Sequence, residues 1–155
     1  MGLDMYLKAK VFTSGYDFVP AEEKETYNAI VNAVGAEQIS DKDSPLAEVA
    51  ITAGYWRKAN AIHGWFVRNV QGGKDECVEH FVPREELIAL QQACQKVLAD
   101  PRLAMDILPP MSGFFFGSYE LSDYYWEQIR ETEALIGRLL KTAGDKWEFY
   151  YRSSW

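Results

Sequence analysis

Apolar and polar positions alternate at the start of the chain, with Leu3, Met5 and Leu7 on one side and Asp4, Tyr6 and Lys8 on the other. A period of two sends successive side chains to opposite faces, which predicts a strand over Leu3 to Phe12. Thr13 to Val19, containing Gly15, reads as a loop. Pro20, Glu22 and Glu23 mark a helix start: proline suits the first turn, and carboxylates complement the positive end of the helix dipole. Tyr27, Ile30, Val31 and Val34 then recur at helical spacing, and Gly35 closes the element. Gln38 to Pro45 is polar and turn-rich, a candidate mobile loop, and Glu48 to Thr52 predicts a short strand.

Tyr55 to Val70 predicts a second helix, stopped by Gly72-Gly73. Glu76 to Val82 reads as a strand. Pro83 opens a third helix with Glu85 and Glu86 in its first turn, a buried stripe of Leu87, Leu90, Cys94 and Val97, and an end at Asp100-Pro101. Met105 to Tyr119 is irregular. Ser122 is the expected N-cap of a last helix that runs to about Thr142 and buries Tyr125, Ile129, Thr132, Ile136 and Leu139. Trp147 to Arg152 predicts the final strand. The expectation is a single α+β domain over residues 1–155, with four helices and about four short strands, the first and last of them paired in one sheet.

Length and composition are those of a folded domain, but two features change the picture. Aromatic residues make up 14% of the chain, enough for extensive ring surfaces in a core, an interface or a stacking site. The formal net charge of -7 opposes nonspecific binding to nucleic acid and to anionic membranes, which needs a basic surface. Cys77 and Cys94 show no disulfide framework and are expected to be reduced thiols of a cytoplasmic protein. The N-terminal residues lack the basic and apolar regions of a signal peptide, and no apolar run is long enough to span a membrane. No Walker A loop or dinucleotide fingerprint occurs, so no cofactor is expected.

Chemistry concentrates in the segment from Tyr55 to Val70. On a helix, about 100° per residue puts Trp56, Asn60, His63 and Val67 in one sector, with Arg57, Ala61, Gly64 and Arg68 beside it. Apolar residues on most sides suggest a buried helix, whose Arg57, Asn60 and His63 then need partners. One reading is a pocket: Arg57 forks onto a phosphate or carboxylate, Asn60 reads an amide or base edge, His63 exchanges a hydrogen bond, and Trp56 offers a ring face. The other is a satisfied core in which Arg57 pairs with Asp4 or Glu48. Gly113-Phe114-Phe115-Phe116-Gly117-Ser118 divides similarly. Phe115 stacking on a base beside Ser118 is one reading, and core or interface packing is the other.

Cys77 and His80 have metal-ligand spacing, but a strand would turn them to opposite faces, and no metal is expected. Cys77 or Ser118 with His63 or His80 would make a nucleophile–base pair, yet no strand-turn-helix nucleophile motif surrounds either.

The segments Gly2-Leu3-Asp4-Met5-Tyr6-Leu7, Gly54-Tyr55-Trp56-Arg57-Lys58-Ala59-Asn60-Ala61-Ile62-His63-Gly64-Trp65-Phe66-Val67, Gly113 to Ser118 and Tyr151-Arg152-Ser153-Ser154-Trp155, in that order, resemble a family of small proteins encoded by bacteriophages and prophages. Val82-Pro83-Arg84-Glu85 departs from the family at a helix start, where a Ser-type cap would stand. The resemblance implies a setting in the cytoplasm of an infected bacterium. Small phage proteins often counter host defence, and this setting, taken with the Arg57, Asn60 and His63 cluster and the aromatic excess, leads to the expectation of a protein that sequesters a small anionic, nucleotide-like immune signal without catalysis. A homo-oligomer fits, since pockets often form between subunits. The alternatives are a small hydrolase or transferase on a similar ligand, with His63 as acid or base, and a protein inhibitor of a host enzyme.

Overall fold

The computed structural model describes residues 2–113 and 116–155. In chain order the elements are β1 (Asp4–Ser14), α1 (Ala21–Ala33), β2 (Leu46–Arg57), α2 (Asn60–Asn69), β3 (His80–Val82), α3 (Arg84–Ala99), a 3-10 turn (Pro101–Leu103), α4 (Ala104–Ile107), α5 (Asp123–Thr142) and β4 (Glu148–Ser154). The fold is α+β, with a four-stranded antiparallel sheet in the order β2-β1-β4-β3. The first and last strands are neighbours, as expected. β3 pairs with β4 in a register that sets His80 against Tyr151 and Val82 against Phe149.

The chain divides into two compact units, Met1–Ala9 with Thr52–Trp155, and Lys10–Ile51. The hydrophobic core lies in the first. Leu3, Met5, Leu7 and Ala9 project from β1 at alternate positions, and Phe149 and Tyr151 do the same from β4. Ile62 and Phe66 of α2 meet them, and the rings of Phe66 and Tyr151 stack with centroids 3.9 Å apart. α3 packs along α5, and the stripes expected on both helices are buried: Leu87, Leu90, Cys94 and Val97 on one, Tyr125, Ile129, Thr132, Ile136 and Leu139 on the other. Burying each large aliphatic side chain contributes roughly 1.5–3 kcal/mol before chain entropy is counted. Ser122 caps α5, its hydroxyl accepting from the Tyr125 amide at 3.4 Å.

The second unit is built around α1. Glu23 in its first turn accepts from the hydroxyl of Ser14 at 2.9 Å, while the Glu23 carbonyl accepts from Thr13 Oγ1 at 2.9 Å. Gly15 faces the Tyr27 ring, where a Cβ would lie 2.6 Å from a ring carbon, so a larger residue would push the ring aside. Of the apolar face expected on α1 only Tyr27 is buried, and Val34 is 72% exposed.

One element departs substantially from its sequence reading. The helix expected over Tyr55 to Val70 starts only at Asn60, because β2 continues to Arg57. Gly54 and Trp56 point inward and Tyr55 and Arg57 outward, a strand's period of two. Lys58, at φ 54°, then turns the chain into α2. Neither Lys58 nor Ala59 is a turn-forming residue type, so helical periodicity extrapolates through them.

Candidate functional site

The turn between β2 and α2 forms one wall of a cleft of about 280 Å³. Lys58 holds the left-handed backbone that L-residues avoid, a conformation costing about 1–2 kcal/mol. It is pinned on both sides: its amide donates to the Leu3 carbonyl at 2.7 Å, and its own carbonyl accepts from the Asn60 amide at 2.9 Å. The side chain of Asn60 extends across the cleft wall, its Nδ2 donating to the Ser118 carbonyl at 2.9 Å. Gly117, at φ 94°, bends the 117–118 segment over Lys58 in a backbone conformation that favours glycine. The far wall is the start of α5, where Ser122, Tyr124 and Gln128 supply hydroxyls and an amide. The Tyr124 hydroxyl donates to the Arg57 carbonyl, and the Tyr125 hydroxyl donates to the Leu108 carbonyl at 2.9 Å. Burial pushes the Tyr125 phenol up to about 12, so it stays a neutral donor.

The electrostatics favour an anion at one end. The first residues of α2, Asn60, Ala61 and Ile62, line the cleft; the Asn60 amide is taken by the Lys58 carbonyl, but a helix start carries further N–H groups without intrahelical partners and a partial positive charge. Lys58 also lines the cleft and adds a full positive charge to its wall, its side chain running beside Gly117 and Gly2. Glu120 stands on the rim as well, and among the described residues neither Lys58 nor Glu120 has an ion-pair partner. The cleft thus offers a cationic end and, separately, a carboxylate and amides that accept hydrogen bonds.

Of the residues singled out from the sequence, Asn60 and Ser118 are brought together and line the cleft. The Ser118 carbonyl holds Asn60, while its hydroxyl accepts from the Glu120 amide at 3.1 Å. Trp56 lies in the core, where its indole N–H donates to Thr132 Oγ1 at 2.8 Å. Arg57 is not buried. Its side chain is on the outer side of β2, with Nη1 3.8 Å from Asp4 Oδ1, one of the two acids anticipated as partner. Lys10 pairs with the other, Glu48, at 3.2 Å. Phe115 lies outside the described residues. Lys58, Glu120 and Gln128 are cleft residues that the sequence reading does not single out. A strand-to-helix break after Arg57 would have pointed to Lys58, and the glycine after the Phe run hinted at the wall.

His63 is fully buried and does not line the cleft. Its Nδ1 lies 2.7 Å from the Tyr151 hydroxyl, and its Nε2 approaches Asp75 Oδ2 to 3.1 Å without hydrogen-bond alignment. The carboxylate beside Nε2 favours the tautomer protonated there, so Nδ1 accepts from Tyr151. Burial lowers the His63 pKa from its ordinary value, and Asp75 opposes that shift in part. The other face of Asp75 accepts from the Trp155 indole at 3.2 Å, and Phe116 sets its ring edge-on to His63 with centroids 5.0 Å apart. Cys77 is exposed. Cys94 is buried, its thiol pushed up to about 12 by burial and secondarily by Glu133. Among the described residues no group of three or more His, Cys, Asp or Glu side chains is placed to hold a metal ion. No helix among them is long and apolar enough to cross a membrane. Comparison of the chain with protein-family models, curated proteins and solved structures finds no match.

Proposed function

We propose that the cleft between the β2–α2 turn and the start of α5 binds a small anionic, nucleotide-like ligand and leaves it chemically unchanged. The observation that carries this reading is Lys58, a charged residue held in a disfavoured backbone conformation where a helix start faces the cleft. Backbone strain of this kind persists only where its surroundings enforce it, and it concentrates at ligand sites. The phosphate or other anionic group lies at Lys58 and the α2 amides. The rest of the ligand presents donors to Glu120, Asn60 and Gln128, as a base edge does. The volume falls at the lower end of ligand pockets, which suits one compact ligand.

The cleft's polar groups are amides, hydroxyls, one ammonium and one carboxylate, a set suited to recognition. Both nitrogens of His63 face protein groups instead. With the resemblance to phage proteins, this reading extends to sequestration of a host nucleotide signal in the bacterial cytoplasm.

The test is capture and release. Excess protein is incubated with mononucleotides and cyclic nucleotides, separated by filtration and heated. One compound depleted from the filtrate and recovered unchanged supports the reading. A new product would make the protein an enzyme, and no depletion of any compound would remove the ligand class.

A further inference from the structure

The sheet of the larger unit buries one face against helices, and its other face carries a second pattern. Strand alternation turns Asp4, Tyr6 and Lys8 away from the side on which Leu3, Met5 and Leu7 are buried. Tyr6 meets Tyr55 with ring centroids 5.3 Å apart, and Phe81 meets Tyr150 at 5.6 Å. Tyr55 and Phe81 remain 50% and 52% exposed. Charges of both signs surround the rings: Lys8 lies 3.3 Å from Glu79 and Arg57 3.8 Å from Asp4, while Glu148 and Arg152 are exposed on β4.

We propose that this outer sheet face pairs two copies of the chain, sheet against sheet. Charge selects the occupant. The chain carries a net charge of -7, but on this face three cations (Lys8, Arg57, Arg152) balance three carboxylates (Asp4, Glu79, Glu148). All the excess negative charge therefore lies elsewhere and repels a second copy, whereas the neutral face does not. A nucleic acid or an acidic protein finds no net positive field here, and a basic partner no net negative one. A two-fold pairing sets the same patch against itself, so each cation can meet a carboxylate of the other copy. The rings supply a desolvated centre, the role aromatic residues take in interfaces.

Sedimentation equilibrium over a concentration series tests this directly. The wild-type chain is expected to move from the monomer mass of 17.7 kDa to twice that value in the micromolar range. Phe81→Glu and Arg152→Glu, both on exposed side chains, are expected to weaken association at least about tenfold, with circular dichroism and melting temperature unchanged. A wild-type chain that stays monomeric at several hundred micromolar would overturn the proposal. So would dimers of undiminished strength in both variants, or a monomer that captures single-stranded oligonucleotides through this face.

Discussion

The imidazole of His63 and the hydroxyl of Tyr151, 88 residues apart in sequence, meet at 2.7 Å with both side chains fully buried. The pair joins α2 to β4, and through Asp75 and Trp155 it ties the 71–79 segment and the chain's last residue to the same point. Burial lowers the folded-state pKa of His63 below its ordinary value of 6.5, while burial raises that of Tyr151 well above 10.0. Below the ordinary histidine pKa the unfolded chain binds a proton that the folded chain resists. Stability is therefore expected to be intact above about pH 6.5 and to fall as the pH drops from there towards the lowered folded value. Urea midpoints between pH 8 and pH 5 measure this. His63→Asn should flatten that dependence, and an unchanged slope in the variant would assign the effect to another group.

Tyr151→Phe removes the hydroxyl and leaves the ring stacked on Phe66. The expected loss is roughly 1–2 kcal/mol, since a buried acceptor loses its donor. In a His63→Ala background the same change should cost much less, because the acceptor is already gone. Equal losses in both backgrounds would show that the two groups are not coupled.

Trp56 makes a similar demand in the core. Its indole N–H donates to Thr132 on α5, so Thr132→Val keeps the shape and orphans a buried donor. A loss of about 1–3 kcal/mol is expected by chemical denaturation. Smaller changes at the exposed Thr142, on the same helix, provide the control.

Lys58 separates stability from function. Lys58→Gly relieves the left-handed backbone but enlarges the unfolded ensemble, so stability should rise by a few tenths to about 1 kcal/mol. Ligand affinity should fall at least about tenfold, because the cation at the α2 start is lost. Thermal melts and binding isotherms on the same samples check both. A variant that is less stable would mean the turn is held by side-chain packing rather than strained.

The helices at the C-terminal end of the chain were legible because their stripes are long and periodic. Five of five expected positions on α5 and four of four on α3 are buried. β1 was legible for the same reason with a period of two. The boundary at Lys58 was not, because the turn there is made by a residue whose side chain gives no warning of it. Trp56, Arg57 and Asn60 were placed on one helix by extrapolation, and the fold sends them to the core, the outer sheet face and the cleft. Asn60 and Ser118 were found, but what joins them is the Ser118 carbonyl, a backbone group that residue identity does not announce. On α1, the apolar spacing was read correctly as a helix, yet only Tyr27 is buried, since periodicity does not say how much of a face is covered.

The most direct test of the account is an amide-resolved NMR titration of the isotope-labelled chain with a panel of mononucleotides and cyclic nucleotides. Binding in the cleft predicts saturable shifts at residues 58–62, 117–122 and 124–128, with small changes at Tyr6, Phe81 and Tyr150 on the outer sheet face. Saturable shifts centred on that outer face, or none with any compound, would contradict it.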